Sequence, residues 1–317
     1  MTRKRSTGLS GPALPLLAGA AAFLAADILR RAYTRSQLFA PSPDPVKSWD
    51  PADYGIPSGA VDVQWFPTPD GERLYGWYCR AEQPVASALF CHGNTANLTL
   101  SADMIPHLLK AGLNVLFFDY RGFGKSSGKA TYAGVIADAV TAARLHDQLR
   151  PRHLPSVLYG FSLGGAIAAQ AIRRHPFDGL ILQSTFTTLA DLTRLLFPRL
   201  PLHLLARHLF NSKAVIRKVD VPLLVLHGTA DEVVPCSMAD ELLDACGAPR
   251  KKLHRVEGAL HKDLFTVDPE TLVTVLGEFL RDLPQHASEP VTAALPLRAR
   301  YGDLLHRSVR RKTPQEA

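Results

Sequence analysis

The sequence predicts an α/β fold, built on a mostly parallel sheet that is covered by helices on both faces. Three observations lead to this prediction. Short apolar runs alternate with longer runs of helical periodicity, which is typical of parallel strands connected by helices. Two runs near the N-terminus are joined by a short turn, which indicates an antiparallel hairpin at one edge. One late connection is too long for a simple crossover, which indicates a small helical insert.

The predicted strands are short runs bounded by glycine, proline and polar residues. The first two are joined by "TPDGE", whose Asp-Gly pair is a strong hairpin signal. Most of the later runs are apolar, as expected of strands that have helices on both sides. The predicted strands are 61–66, 73–79, 87–93, 114–120, 156–161, 179–185, 222–228 and 251–258.

Helices are predicted between these strands wherever apolar residues recur at intervals near 3.6. In the longest of these runs, Val135, Ala139 and Ala142 fall on one face. Gly112 marks the end of an earlier helix, since glycine commonly follows the last helical turn. The predicted helices are 98–110, 132–149, 163–174, 237–246 and 268–283.

The long connection between two of the late strands covers residues 186–221. It is strongly apolar and is interrupted by Pro198 and Pro201. We predict that it forms a small helical cap over the edge of the sheet where ligands bind. The alternative is a pair of packed crossover helices that do not touch a substrate.

The formal net charge is +7, but the positive charge lies at the two ends of the chain. Residues 1–35 carry +5 and residues 286–317 carry +3, which leaves −1 for residues 36–285. A surface that follows a nucleic-acid backbone would place the positive charge on the folded body. The distribution argues against a nucleic-acid partner and favours a membrane-facing arm and a loose basic tail.

The N-terminal 35 residues contain an apolar run behind a basic start. Residues 11–26 carry no charge and are followed by Asp27. This run is short for a membrane span, which needs about 20 residues. It could be an uncleaved anchor that continues to Leu29, with Arg30 and Arg31 at the head groups, or a signal peptide that is removed on export. A buried helix is a third possibility. We expect residues 1–35 to bring the protein to a membrane.

The remaining segments are assigned by composition. Residues 36–60 are rich in proline and are predicted to be an extended linker. Residues 61–285 contain the predicted strands and helices and form the main domain. Residues 286–317 show no clear periodicity, so we expect a disordered tail.

The stretch "LYGFSLGGA" places a serine at a sharp turn between a predicted strand and a predicted helix. Ser162 lies between Gly160 and Gly164, and Gly165 follows. Bulky residues two positions on either side would collide at such a turn, and the third glycine lets the helix approach the sheet. The turn would expose the hydroxyl at the carboxyl edge of the sheet, next to the free N–H groups of a helix N-terminus.

A serine hydroxyl needs a base to become a nucleophile, and the base needs an acid that orients it. Asp231 and His261 each follow a predicted strand, as Ser162 does. Since the carboxyl ends of parallel strands share one edge of the sheet, we predict that these three side chains meet there. Their order along the chain, Ser-Asp-His, is the one expected for such a sheet.

Other acidic residues and histidines lie near these positions. Glu232 is an alternative acid, and His254 is an alternative base within the last strand. His92 and His227 each begin a strand-end "HG" pair and are expected to shape loops through hydrogen bonds. Asp263 is expected to start a helix.

The oxyanion formed when a carbonyl is attacked needs two aligned N–H donors. The backbone of Leu163, directly after the serine, is predicted to supply one. Asn94, followed by Thr95 in the loop "HGNTAN", is predicted to supply the other. The alternative for Asn94 is a simple turn residue.

Five motifs in this order resemble those of the α/β-hydrolase superfamily: "HGN", "DYRGFGKSSG", "GFSLGG", "HGTADEVVP" and "GALHKD". The resemblance is strongest to anchored abhydrolase-domain proteins and serine aminopeptidase-like (S33-type) proteins, and it covers about residues 38–284. It implies a Ser-His-Asp hydrolase without a cofactor that acts on esters or thioesters. Ser162, Asp231 and His261 then match the triad, and Asn94 and Leu163 match the oxyanion donors.

No motif predicts a cofactor or a metal. "RGFGKSS" resembles a phosphate-binding loop, but that motif requires glycine where Asp119 stands. The sequence has no HExxH motif, and its histidines lack metal-binding spacing. We therefore predict a serine hydrolase of acyl or lipid-like small molecules. The alternatives are an aminopeptidase-like hydrolase of small peptides and a catalytically silent, membrane-associated scaffold.

Overall fold

An eight-stranded sheet forms the centre of the structure, a computed structural model that describes residues 38–284. The strands of the structure are β1 (Ala40–Pro41), β2 (Val61–Pro67), β3 (Arg73–Cys79), β4 (Ala86–Cys91), β5 (Thr95–Ala96), β6 (Leu113–Asp119), β7 (Ser156–Phe161), β8 (Gly179–Gln183), β9 (Leu223–Gly228) and β10 (Lys251–Val256). The central sheet has the strand order β10-β9-β8-β7-β4-β6-β3-β2, while β1 and β5 form a separate two-stranded parallel sheet.

The pairing of the strands confirms the predicted fold class. Strands β6, β4, β7, β8, β9 and β10 are parallel to one another, and β3 is antiparallel to both β2 and β6. The hairpin β2–β3 closes where Thr68 Oγ1 accepts a hydrogen bond from Glu72 N at 2.9 Å. The carboxyl ends of β4, β7, β8, β9 and β10 therefore lie along one edge.

Helices cover both faces of this sheet. The helices are α1 (Ile105–Lys110), α2 (Tyr132–Leu149), α3 (Leu163–Ala171), α4 (Leu189–Leu196), α5 (Leu202–Ala206), α6 (Ser212–Ile216), α7 (Ser237–Ala245), α8 (Leu264–Val267) and α9 (Pro269–Arg281). One face of the sheet packs on α2, α3 and α7, and the other packs on α1 and α9, so that alternate residues of the strands enter two separate apolar clusters.

Two segments differ from the prediction. The run expected to be one helix over 98–110 is a 3-10 helix at Leu98–Met104 followed by α1, whose first turn contains Pro106. Proline is tolerated in the first turn of an α-helix but not in its interior, so the α-helix begins only there.

The second difference concerns the proposed linker. Within the described part of 36–60, the side chains of Leu38, Phe39, Tyr54 and Ile56 are buried in the body. The proline content predicted an extended backbone, but it did not show that these apolar side chains would pack against the sheet layers.

The predicted insert 186–221 contains the three short helices α4, α5 and α6. Pro198 and Pro201 lie between α4 and α5, where they separate the two helices. None of the helices in residues 38–284 is long and apolar enough to cross a membrane. The predicted membrane arm, 1–35, and the predicted tail, 286–317, lie outside the described residues.

A buried histidine makes the stability of this fold depend on pH. His146 of α2 is fully buried and its Nε2 lies 2.9 Å from Ser87 Oγ. Burial lowers the pKa of His146 to about 3. The unfolded chain binds this proton near pH 6.5, whereas the folded protein does so only near pH 3, so stability is lost as the pH falls through that window.

We expect His146 to lower the free energy of unfolding by about 1.4 kcal/mol for each pH unit below about 6.5. His146→Gln, which keeps a hydrogen-bonding group facing Ser87, should remove this contribution. Urea unfolding at pH 7.5 and 5.0 should then show a pH-dependent loss smaller by about 2 kcal/mol than in the wild type. The same substitution at exposed His153 is the matched control, and an unchanged loss in His146→Gln would contradict the assignment.

Candidate active site

Ser162 lies in the sharp turn between β7 and α3. Its backbone has φ of 54° and ψ of −119°, a strained conformation for a residue with a side chain. Ser162 N donates to Gln183 O at the end of β8 at 2.8 Å, which ties the turn to the neighbouring strand. The turn therefore holds the serine at the carboxyl edge of the sheet, as expected of a nucleophile elbow.

The glycines around Ser162 are required by close approach of the surrounding backbone. A Cβ atom at Gly160 would overlap the backbone of Gly165, and one at Gly164 would overlap the carbonyl of Cys91 at the end of β4. A Cβ atom at Gly165 would overlap the side chain of Thr185. The turn is thus pressed against two neighbouring strands, which leaves no room for larger residues.

Gly164→Ala is expected to lower the free energy of unfolding by about 3 kcal/mol, because the clash is with backbone that cannot move aside. Urea unfolding at neutral pH measures the effect. Gly59→Ala is the matched control, since a Cβ atom there has no neighbour within 4 Å. Equal stability of the two variants would show that the turn can relax.

The structure brings Ser162, His261 and Asp231 into one hydrogen-bonded series. His261 Nε2 lies 2.9 Å from Ser162 Oγ, and His261 Nδ1 lies 2.8 Å and 3.0 Å from the two carboxylate oxygens of Asp231. The three residues follow β7, β10 and β9, whose carboxyl ends share one edge. In this arrangement the imidazole can accept the serine proton while the carboxylate fixes its orientation.

Asp231 is held as a carboxylate by four donors. Its Oδ1 accepts from the N–H groups of Val233 and Val234 at 2.9 Å and 2.8 Å. Its Oδ2 lies 3.1 Å from His227 Nε2, in addition to its contact with His261. Burial would raise the pKa of Asp231, but the hydrogen bonds from His227 and His261 outweigh it and hold that pKa below its ordinary value.

The contact of His227 with Asp231 is the part of the site that the sequence did not predict. His227 was expected to shape a loop, and its Nε2 does lie 2.8 Å from Val234 O in the loop after β9. It is also within reach of the Asp231 carboxylate, because a tight turn separates the two residues. Its position four residues before Asp231 at a strand end was the available signal.

The residues weighed as alternatives take other positions. Glu232 Oε2 accepts from the backbone N–H of His261 at 3.2 Å and has no bond to the imidazole. His254 lies within β10, beside Leu226 of β9. His92 Nδ1 lies 2.8 Å from Gly93 O, in the loop after β4. Asp263 directly precedes α8, and its Oδ1 accepts from Leu260 N at 2.6 Å.

The two residues predicted as oxyanion donors line the same cavity as Ser162. Leu163 is the first residue of α3, so its N–H has no acceptor within the helix. The carbonyl of Asn94 accepts from Ala40 N at 2.9 Å, which fixes its loop. A Cβ atom at neighbouring Gly93 would lie 3.8 Å from Ser162 Cβ, so this loop passes close to the serine.

A cavity of about 280 Å³ opens beside Ser162 and His261. Most of its wall is apolar, and the insert supplies five of the nine apolar side chains that line it. Among residues 38–284, no aspartate or glutamate lines it, and Lys262 is the lining residue with a charged side chain. The insert residues in the wall are Phe186, Leu189, Leu192, Thr193, Leu196 and Phe197.

Comparison with known proteins shows the family and the fold of this chain. The family model of S33 serine aminopeptidases matches residues 82–215 and 204–268, which together make up more than half of the chain. The chain belongs to this family of α/β hydrolases. Both the elbow serine and His261 fall within the matched residues of this hydrolase.

The similar proteins include relatives and solved structures. An uncharacterized protein of Mycobacterium tuberculosis is 31% identical over 275 residues, which cover 85% of this chain and 95% of that protein. An esterase of Pyrococcus furiosus has a TM-score of 0.63 at 24% identity and covers 78% of this chain and 98% of its own. The esterase domain of a Rhodothermus marinus protein has a TM-score of 0.54 at 25% identity and covers 70% of this chain and 99% of its own.

Proposed function

We propose that this hydrolase cleaves carboxylic ester or thioester bonds of acyl substrates through an acyl-enzyme on Ser162. The observation that carries the proposal is the hydrogen-bonded series of Ser162, His261 and Asp231 beside a largely apolar cavity. The esterase domain from Rhodothermus marinus, with 25% identity, supports an ester as the bond that is cleaved.

The proposed reaction has two halves. Ser162 Oγ attacks the substrate carbonyl while His261 Nε2 takes the hydroxyl proton, and the backbone N–H groups of Leu163 and Asn94 stabilise the oxyanion. His261 then gives this proton to the leaving alcohol or thiol as the carbonyl–oxygen or carbonyl–sulfur bond breaks. In the second half His261 takes a proton from water, the hydroxide attacks the acyl carbon, and the proton returns to Ser162 as the acid leaves.

The cavity favours an acyl chain over a peptide N-terminus. The family description names aminopeptidases, which makes a peptidase the second candidate. An aminopeptidase has to bind the positive α-ammonium group of its substrate, which calls for a carboxylate. The described wall of the cavity has no acidic side chain, and Lys262 would repel such a group.

A fluorophosphonate probe tests the proposal directly, because it reacts with an activated serine. The full-length protein should be labelled, and Ser162→Ala should lose the label. A panel of p-nitrophenyl esters and aminoacyl anilides then identifies the bond. Absence of labelling in folded protein would favour the silent scaffold, and cleavage of the anilides alone would favour the peptidase.

Within the ester panel, we expect kcat/KM to rise by up to about fourfold for each added methylene, because each one leaves water for the apolar cavity. The rise should stop once the acyl chain fills the cavity. Steady-state kinetics from acetate upward measure the series. A flat or falling series would exclude the cavity beside Phe186 and Leu192 as the acyl site.

A further inference from the structure

The insert exposes an unusual amount of apolar surface. Ten large hydrophobic side chains are exposed in residues 38–284, and five of them lie close together in sequence at α4, α5 and the loop between them. Every residue from 194 to 201 is exposed. We call this the cap surface, and it consists of Leu195, Leu196, Phe197, Leu200 and Leu204.

The cap surface is continuous with the cavity beside Ser162. Leu196 and Phe197 are 45% and 37% exposed, and both also line the cavity. An apolar path therefore runs from the outer face of the insert to the candidate nucleophile. Such an exposed patch on a folded body marks an interaction site.

The charge of the insert limits what can cover the cap surface. The insert, residues 186–221, contains six lysines or arginines and two aspartates, a net charge of +4. The rest of residues 36–285 then carries −5, so the insert is the positive part of a negative body. Arg194 and Arg199 are exposed and adjacent in sequence to residues of the cap surface, and the contact of Arg194 with Asp191 is long, at 3.8 Å.

We infer that the cap surface docks onto an anionic lipid surface. Its leucines would enter the boundary between head groups and acyl chains, and its arginines would lie at the negative head groups. Two other partners that could cover the cap surface, the N-terminal arm and a second copy of the protein, are themselves positively charged and would be repelled. The N-terminal arm carries +5, and a second copy would bring an equally positive insert against this one.

Docking in this orientation would place the cavity mouth at the lipid surface. This part of the inference rests on the proposed function, since it makes the substrate an acyl lipid that enters from a bilayer past Leu196 and Phe197. It predicts a preference for substrates embedded in anionic membranes over the same ester in water. The docking itself does not depend on catalysis and can be tested separately.

The contact is measured with a tryptophan reporter in the full-length protein. Leu200→Trp is mixed with vesicles of brominated phosphatidylglycerol and phosphatidylcholine, which quench tryptophan that reaches the acyl chains. Val63→Trp, an exposed position on the far edge strand β2, is the matched control and also corrects for anchoring by the arm. After subtraction of the signal of the wild type, which contains Trp49, Trp65 and Trp77, we expect strong quenching at Leu200→Trp and not at Val63→Trp, and weaker quenching on phosphatidylcholine vesicles. Equal quenching of both reporters, or no quenching at Leu200→Trp, would overturn the inference. A change in Leu200→Trp fluorescence with protein concentration, without vesicles, would also overturn it, because a second copy would then cover the cap surface.

Activity provides the second measurement. Leu195→Ser combined with Leu204→Ser should lower hydrolysis of a long-chain ester in anionic vesicles by at least about tenfold, because two leucines no longer leave water. Hydrolysis of soluble p-nitrophenyl acetate should stay within about twofold, since neither residue lines the cavity. Val63→Ser is the control and should change neither rate. Equal loss on both substrates would overturn docking, whereas an inactive wild type would refute the proposed function and leave the quenching result standing.

Discussion

Replacing Ser162 with alanine is expected to lower kcat for ester hydrolysis by about a million-fold, the size of effect seen when a serine nucleophile is removed. The hydroxyl is the group that bonds to the acyl carbon, and His261 has no other described acceptor or donor at Nε2. What remains would come from the oxyanion donors and the cavity acting on water. Stopped assays at high enzyme concentration, with a short p-nitrophenyl ester, measure the loss.

Ser184 provides a matched control for this substitution. It also directly follows a strand of the sheet, is fully buried and has a positive φ of 48°, but its hydroxyl has no hydrogen-bond partner among the described residues. Ser184→Ala should keep kcat within a few-fold of the wild type. A hundredfold loss corresponds to an increase of roughly 3 kcal/mol in the activation free energy. If Ser162→Ala lost no more than this, so that one per cent or more of the activity remained, the acyl-enzyme on Ser162 would be excluded.

Asp231→Asn is expected to lower kcat by about ten-thousand-fold, as in triads where the acid becomes an amide. The carboxylate accepts from His261 Nδ1, which leaves Nε2 free to take the serine proton. An amide NH2 group facing Nδ1 would favour the tautomer with the proton on Nε2, which cannot act as the base. The single-turnover rate with a p-nitrophenyl ester reports the loss at the acylation step.

A substitution at neighbouring Glu232 tests whether the loss in Asp231→Asn comes from removing any nearby negative charge or from removing the carboxylate that contacts His261. Glu232→Gln removes a negative charge one residue away, but Glu232 contacts only the backbone N–H of His261 among the described residues. We expect its kcat to fall by no more than about tenfold, since the glutamine amide oxygen can still accept from His261 N and even complete loss of one hydrogen bond costs roughly 1 kcal/mol. If Glu232→Gln were the more damaging change, Glu232 would be the acid and the assignment of Asp231 would be wrong.

The fold could be predicted because its signals are local and repeated. Apolar runs that alternate with helical runs leave few arrangements other than a parallel sheet between helices. Ser162 could be predicted as the nucleophile for a similar reason, because the glycines around it indicate a crowded turn between a strand and a helix. Asp231 and His261 followed from the shared edge of parallel strands, a topological argument that needs no distance.

The features that could not be predicted depend on contacts distant in sequence. Nothing local shows that Leu38 and Phe39 pack into the body, because their partners belong to other elements. The second donor to Asp231, His227, depends on how the loop after β9 folds back, which sequence spacing does not fix. The shape of the cavity depends likewise on how α4 packs over the sheet.

Strand β10, which precedes His261, is paired on one side only, with β9, and five of its six residues are at least partly open to solvent at the edge of the sheet. Ser162, in contrast, follows a strand with neighbours on both sides. Edge strands fray at a lower free-energy cost than central ones. We therefore expect mild denaturant to abolish activity while most backbone amides are still protected from hydrogen exchange. Loss of activity would then report local unfolding around β10 and not unfolding of the whole domain.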